Sequence, residues 1–127
     1  MTGDLIGVEI EERGDVVIAR LTGELDIAVA VATGQKIGRA VPSSARGVVV
    51  DMTELEFMDS SGISMLFALA RQVGSHRQEL RVVAQSGRPV ARVLEIVEFE
   101  RAAPIHADVE SAVAAIATPR TSQPPPG

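Results

Sequence analysis

The residues best suited to chemistry form one short segment, Asp59-Ser60-Ser61-Gly62, which follows the apolar pair Phe57-Met58. Asp and Ser are preferred at a helix N-cap because their side-chain oxygens accept hydrogen bonds from the unpaired amides of the first turn. A serine hydroxyl at that position is also accessible to a kinase, and unpaired N–H groups together with the helix dipole would hold the phosphate. The segment therefore has two interpretations, a structural helix cap and a phosphorylation site.

Phosphorylation of Ser60 would convert this segment into a switch. A phosphoserine carries about −1.5 to −2 charges at neutral pH, so an interface that accepts the hydroxyl would expel the modified residue. Asp59 would add to the repulsion, or it would orient the Ser60 hydroxyl before transfer, and the sequence leaves both roles open. Phe57 and Met58 fall in the predicted loop before the helix, where they would cover the edge of the core or contact a partner.

The elements that would position this segment alternate between strands and helices. Hydrophobic periodicity and turn residues predict strands over 6–10, 15–22, 47–51 and 80–84, with an edge strand over 102–105. Helices are predicted over 27–41, 61–73, 88–97 and 108–117, the first with Asp26 as its cap. The unbroken run Val48-Val49-Val50 is typical of a central strand covered on both faces, with Asp51 at its exposed end. This order predicts an α/β fold on a mixed sheet with mostly parallel crossovers.

Composition narrows the class of protein further. A chain of 127 residues with 46% hydrophobic content predicts one domain, and a net charge of −5 argues against nucleic acid and anionic lipid as partners. The lack of cysteine excludes a disulfide framework, a thiolate metal site and thiol redox chemistry. No leader and no long apolar run are visible, so a cytoplasmic protein is expected. Residues 118–127 hold four of the seven prolines and predict a disordered tail behind a domain over 1–117.

Two segments together resemble a known family. Arg20-Leu21-Thr22-Gly23-Glu24-Leu25-Asp26 and, after a buried strand, Phe57-Met58-Asp59-Ser60-Ser61-Gly62 are similar to the two signature segments of the bacterial anti-sigma factor antagonists, which are STAS domains. The resemblance covers about residues 5–117. It implies a mixed sheet with helices packed mainly on one side. It also implies a protein without enzymatic activity that binds an anti-sigma factor, often a serine kinase of the histidine-kinase-like ATPase type, and so releases the sigma factor.

The resemblance also implies roles for individual residues. Ser60 corresponds to the phosphorylated serine of the family, with Ser61 as the alternative, and a serine phosphatase would reverse the modification. The predicted partner-binding residues are Gly23, Glu24, Asp26, Phe57, Met58, Asp59, Ser61 and Gly62. No cofactor and no metal are implied, and we expect a monomer or a weak dimer. Gly34 and Gly38 depart from the family's more regular first helix, and Ile63-Ser64 replaces the more usual Leu-Gly.

Other functions remain open at this point. A serine hydrolase would need a nucleophile elbow, but Gly-x-Ser-x-Gly does not occur, and His76 and His106 have no evident partner in the sequence. Asp26, Asp51 and Asp59 could converge on a magnesium or phosphate-transfer site, although caps and strand ends explain them more simply. The third alternative is a STAS scaffold or ligand-sensing module in a stress-signalling assembly, and the lack of a fused module favours the antagonist.

Overall fold

The computed structural model of the protein describes residues 6–117, so the predicted tail over 118–127 lies outside the described residues. The strands are β1 (Ile6–Arg13), β2 (Val16–Leu25), β3 (Gly47–Met58), β4 (Glu79–Val83) and β5 (Ile105–His106). The helices are α1 (Ala30–Ala40), α2 (Ser60–Ser75), α3 (Pro89–Ile96) and α4 (Val109–Ala117), with a short 3-10 helix at Phe99–Arg101. None of the helices within this range is long and apolar enough to cross a membrane.

The five strands form one mixed sheet in the order β1-β2-β3-β4-β5. β1 and β2 are an antiparallel hairpin, and every later neighbour pair is parallel. Parallel neighbours need a long crossover connection, which α1, α2 and α3 supply in turn. The predicted mixed sheet with mostly parallel crossovers is therefore confirmed.

The side chains of β2 alternate between two cores. Val17, Ala19 and Leu21 face the larger core, which also contains the apolar faces of α1, α2 and α3. Val16 and Ile18 face the opposite way and pack in a smaller cluster with Val49, Val83 and two residues of α4, Ala112 and Ile116. Three helices thus lie on one side of the sheet and one on the other, as the family resemblance implied. Each fully buried aliphatic side chain contributes about 1.5–3 kcal/mol to this packing.

The end of β3 differs from the prediction. The strand continues to Met58, because Phe57 and Met58 pair with Glu24 and Leu25 at the end of β2. The predicted loop around Phe57 and Met58 is therefore wrong. In the sequence, only the apolar run at the start of β3 predicts a strand. The rest of β3 is extended because the long β2 pairs with it as far as Met58.

Asp51 does not lie at an exposed strand end. It is only 8% exposed in the middle of β3, and its Oδ1 accepts hydrogen bonds from the backbone N–H and the hydroxyl of Thr53, at 3.0 and 2.6 Å. Its Oδ2 lies 3.8 Å from Nε of Arg20 on the neighbouring strand. A buried carboxylate needs such partners, and the sequence around Asp51 does not reveal them.

The first helix begins three residues later than predicted. The carboxylate of Asp26 accepts a hydrogen bond from the N–H of Ala28 at 3.0 Å, and its carbonyl accepts one from the N–H of Ala30 at 2.9 Å. These bonds make a separate turn that precedes α1. Asp26 therefore caps the turn and not the helix.

The two glycines of α1 have a packing role. A Cβ on Gly34 would lie 2.7 Å from Cγ of Met65, and a Cβ on Gly38 would lie 2.8 Å from Nε2 of Gln72. Both neighbours belong to α2, so the glycines allow α1 and α2 to approach closely. This contact offsets the low helix propensity of glycine.

The edge strand also shifts. β5 is Ile105–His106 and not 102–105, because Pro104 has no N–H to give to the ladder. Its carbonyl still accepts a hydrogen bond from the N–H of Val82 at 3.0 Å. Asp108 caps the last helix, since its Oδ1 accepts a hydrogen bond from the N–H of Ser111 at 2.8 Å.

Candidate functional site

Asp59 is the N-cap of α2. Its Oδ1 accepts hydrogen bonds from the backbone N–H groups of Ser61 and Gly62, at 2.8 and 3.3 Å. The cap interpretation is confirmed, although the helix begins at Ser60 and not at Ser61. These two amides are engaged by a carboxylate in the unmodified protein, so a phosphate on Ser60 would reach them only by displacing Asp59.

Asp59 also joins the two signature segments. Its Oδ2 accepts a hydrogen bond from the N–H of Ile27 at 3.2 Å, and its own N–H donates to the carbonyl of Leu25 at 3.2 Å. Both carboxylate oxygens are thus directed at backbone amides. This arrangement favours a positioning role for Asp59 over orientation of the Ser60 hydroxyl.

The two candidate serines differ in exposure. Ser60 is the first residue of α2 and is exposed, whereas Ser61 is half-buried beneath it. A kinase active site must surround the hydroxyl that it modifies, so accessibility favours Ser60. Its phosphorylation stays a prediction.

Gly62 and Met58 belong to the packing of this corner. Gly62 is buried, and a Cβ there would lie 2.5 Å from Cγ of Met58 and 3.0 Å from Cγ of Leu25. Met58 is itself 5% exposed, so it covers the edge of the core as one interpretation expected. Phe57 points the other way and is 48% exposed, which leaves it accessible to a partner.

The first signature segment surrounds the same corner. Gly23 has φ of 92°, in the left-handed region that favours glycine, and the ladder between β2 and β3 shifts register between Gly23 and Glu24. Beyond this irregularity, Glu24 and Asp26 are half-buried. The predicted partner-binding residues therefore do come together, and their role in binding stays a prediction.

The sequence did not reveal an apolar groove beside this corner. The groove lies between α1 and α2, has a volume of about 530 Å³, and has Ser61 in its lining. Ile27 and Val31, 77% and 71% exposed, stand at its edge. The only sign of the groove in the sequence is the pair Ile27 and Val31 itself. These two apolar residues are four apart, and they are not among the residues that bury the inner face of α1.

The geometry does not support a serine hydrolase. His76 follows the last residue of α2 and lies about 24 Å from Ser60, since the helix has 16 residues with a rise of about 1.5 Å each. His106 lies on β5, where its Nε2 is 3.3 Å from Nη1 of Arg81. Burial and the charge of Arg81 lower the pKa of His106. The histidines thus occupy positions unrelated to the exposed serine.

The three aspartates do not form a cation site. Asp51 follows Val49 on the strand face that α4 covers, whereas Asp59 caps a helix of the other face. Within residues 6–117, no group of three or more His, Asp or Glu side chains is arranged to hold a metal ion. Asp59 caps a helix, Asp26 caps a turn, and Asp51 is a buried hydrogen-bond acceptor. These separate roles account for all three aspartates.

Comparison with known proteins agrees with this geometry. The sequence profile of the STAS domain family matches residues 7–112. The chain belongs to the STAS domain family. This STAS domain is 30% identical over 71 residues to the anti-sigma-F factor antagonist RsfB of Mycobacterium tuberculosis, a match that covers 56% of this chain and 58% of RsfB. It therefore spans little more than half the length of that relative.

Two further proteins match over a larger share of their length. An anti-sigma F factor antagonist of Paenibacillus polymyxa is 27% identical to the STAS domain over 100 residues, which are 78% of this chain and 85% of the relative. The crystal structure of an anti-sigma factor antagonist from Mycobacterium paratuberculosis matches with a TM-score of 0.81 and 26% identity, covering 92% of this chain and 98% of that one. The family resemblance of the two signature segments is confirmed.

Proposed function

We propose that this STAS domain is an anti-sigma factor antagonist without enzymatic activity, and that phosphorylation of Ser60 switches its binding off. The observation that carries the proposal is the exposed Ser60 hydroxyl beside Asp59, whose hydrogen bonds hold the two signature segments together. The names of the relatives from Mycobacterium and Paenibacillus support the same function. Binding of the domain to an anti-sigma factor would release the sigma factor.

The charge around Ser60 explains how the switch would act. A phosphate there adds about −1.5 to −2 charges next to a carboxylate that already occupies the amides of Ser61 and Gly62. The phosphate must then extend toward the partner or displace Asp59 from its cap. The first outcome places charge in the interface, and the second releases the N–H of Ile27. Both lower the affinity for a partner that fits the unmodified surface.

The proposal includes the partners of this cycle. The anti-sigma factor would be a serine kinase of the histidine-kinase-like ATPase type, and a serine phosphatase would reset Ser60. The cycle would operate in the cytoplasm, and the STAS domain itself would need no cofactor for it. A net charge of −5 is compatible with protein partners and disfavours nucleic acid.

A phosphorylation assay tests the switch directly. Each serine-kinase anti-sigma factor encoded by the source organism is purified and incubated with the STAS domain and ATP, and the site is located by mass spectrometry. We expect one kinase to modify Ser60, to modify the variant Ser61→Ala at the same position, and to leave Ser60→Ala unmodified. Modification of Ser61 alone would show that Ser61, and not Ser60, is the switch. If none of the kinases modified the domain, the result would contradict the proposal.

A further inference from the structure

We propose that the groove between α1 and α2 receives an amphipathic helix of the anti-sigma factor, an inference that rests on the proposed function. The groove holds about 530 Å³. Ile27 and Val31 form its apolar edge and have the largest exposed fractions among the large apolar side chains of residues 6–117. Such side chains lose unfavourable contact with water when a partner covers them.

The floor of the groove is shaped for close approach. Gly34 has no side chain where α1 meets Met65, and Ala68 adds only a methyl group on the α2 side. A concave apolar strip between two helices is the shape that an amphipathic helix occupies with anchors at i, i+3 or i+4, and i+7. The occupant we infer is therefore convex and helical.

The groove begins at the phosphorylation segment. Ser61 lies in its lining, and the N–H of Ile27 at its edge donates to Asp59. A helix in the groove would thus end beside Ser60. This continuity gives the phosphate a direct effect on docking, because the charge appears where the helix begins its contact.

The two ends of the groove carry opposite charges. Asp26 and Asp59 flank the end near Ser60, and Arg71 lines the groove about 16 Å further along α2, given a rise of about 1.5 Å per residue. A complementary helix carries a basic residue near the aspartates and an acidic residue near Arg71. Complementary charges of this kind fix the direction in which a helix docks.

Two other occupants fit less well. A second copy related by a two-fold axis through the groove would place one concave groove against another, and it would cover Ser60, which a kinase must reach. An anionic membrane surface would be repelled by the net charge of −5. An amphipathic helix of the anti-sigma factor fits the shape of the groove and would lie next to Ser60.

The test compares matched substitutions inside and outside the groove. Val31→Asp and Arg71→Glu change the groove, whereas Ile96→Asp and Arg92→Glu make the same changes on α3. Val31 and Ile96 are 71% and 69% exposed, so the two Asp variants carry a comparable risk to folding, which circular dichroism monitors. Binding is measured by calorimetry against each purified serine-kinase anti-sigma factor of the source organism. Ser60→Asp is measured in parallel.

We expect the two groove variants to weaken binding about tenfold or more, as loss of an interface hot spot does, and the α3 variants to bind within about twofold of the wild type. If the groove variants bind normally while Ser60→Asp does not, the groove inference is overturned and the proposed function stands. If the unmodified protein binds none of the factors, the proposed function fails and the inference with it.

Two control measurements identify the alternative occupants. A dimer of the wild-type protein on analytical ultracentrifugation that Val31→Asp dissociates would assign the groove to a second copy. Sedimentation with phosphatidylglycerol vesicles that Val31→Asp abolishes would assign it to lipid. Either result overturns the inference. A protein that is monomeric and does not sediment with the vesicles agrees with it.

Discussion

The carboxylate of Asp59 accepts a hydrogen bond from the N–H of Ile27, 3.2 Å away and 32 residues earlier in the chain. The same side chain caps α2 through Ser61 and Gly62. One residue therefore fixes the start of the helix that presents Ser60 and the start of the turn that leads to α1. A change of charge at Ser60 acts on the side chain that connects these elements.

Removal of this cap should affect both stability and binding. Asp59→Ala loses its bonds to two helix amides and to Ile27, and loss of an N-cap typically costs about 0.5–2 kcal/mol. Urea denaturation measures the loss in unfolding free energy. Asp108→Ala removes the cap of α4 and is the matched control, because it should lower stability similarly and leave binding to the anti-sigma factor unchanged. Equal binding by both variants would contradict the positioning role of Asp59.

Substitutions of Ser60 should have opposite effects on the switch. Ser60→Ala cannot be phosphorylated and should bind its anti-sigma factor constitutively, whereas Ser60→Asp should bind weakly because it places a permanent charge beside Asp59. Calorimetry with and without prior incubation with ATP measures both effects. Ser86→Ala, in the exposed turn before α3, is the control and should respond to ATP as the wild type does. Identical behaviour of the two Ser60 variants would place the switch elsewhere.

Gly62 should not tolerate a side chain. The added methyl of Gly62→Ala would overlap Cγ of Met58 at 2.5 Å, and overpacking of a core costs about 1–3 kcal/mol. Gly74→Ala near the end of α2 is the control, since a Cβ there meets nothing within 4 Å and alanine favours a helix. Thermal denaturation should therefore show a lower Tm for the first variant and no loss for the second. An unchanged Tm for Gly62→Ala would show that Met58 moves aside without cost.

Acidification should weaken the fold through His106. Burial and Arg81 lower the pKa of His106 below 6.5, so the unfolded chain binds the proton more tightly than the folded one. The unfolding free energy contributed by neutral His106 is present above pH 6.5 and is lost as the pH falls below that value. Urea denaturation between about pH 8 and about pH 5.5 measures this slope. His106→Gln should reduce the slope, and His76→Gln at the exposed end of α2 is the control.

The sequence predicted the order of the elements because their signals are local. The hydrophobic periodicity predicts each helix and strand. Asp59 is predicted to be a cap from its residue type and its position before an apolar helix. The paired signature segments then identified the corner where Ser60 lies. These features need no knowledge of distant neighbours.

Features that depend on distant partners could not be predicted in this way. β3 extends to Phe57 and Met58 because β2 lies beside it, and the buried carboxylate of Asp51 has Arg20 of the neighbouring strand 3.8 Å away. The bond between Asp59 and Ile27 requires the two segments to meet in space. The groove likewise exists only where α1 lies against α2, and the exposure of Ile27 and Val31 at its edge is visible only in the folded structure.

The position of α4 has a practical consequence. Because α4 is the one helix of residues 6–117 that packs on the far side of the sheet, a probe attached there leaves the Ser60 corner unobstructed. The chain contains no cysteine, so Ala117→Cys at the exposed last residue of α4 would give a single thiol for a fluorophore or a sensor surface. A molecule immobilised through that thiol would present its signalling face to the solution in one orientation, which allows kinase, phosphatase and anti-sigma factor to be exchanged over the same sample.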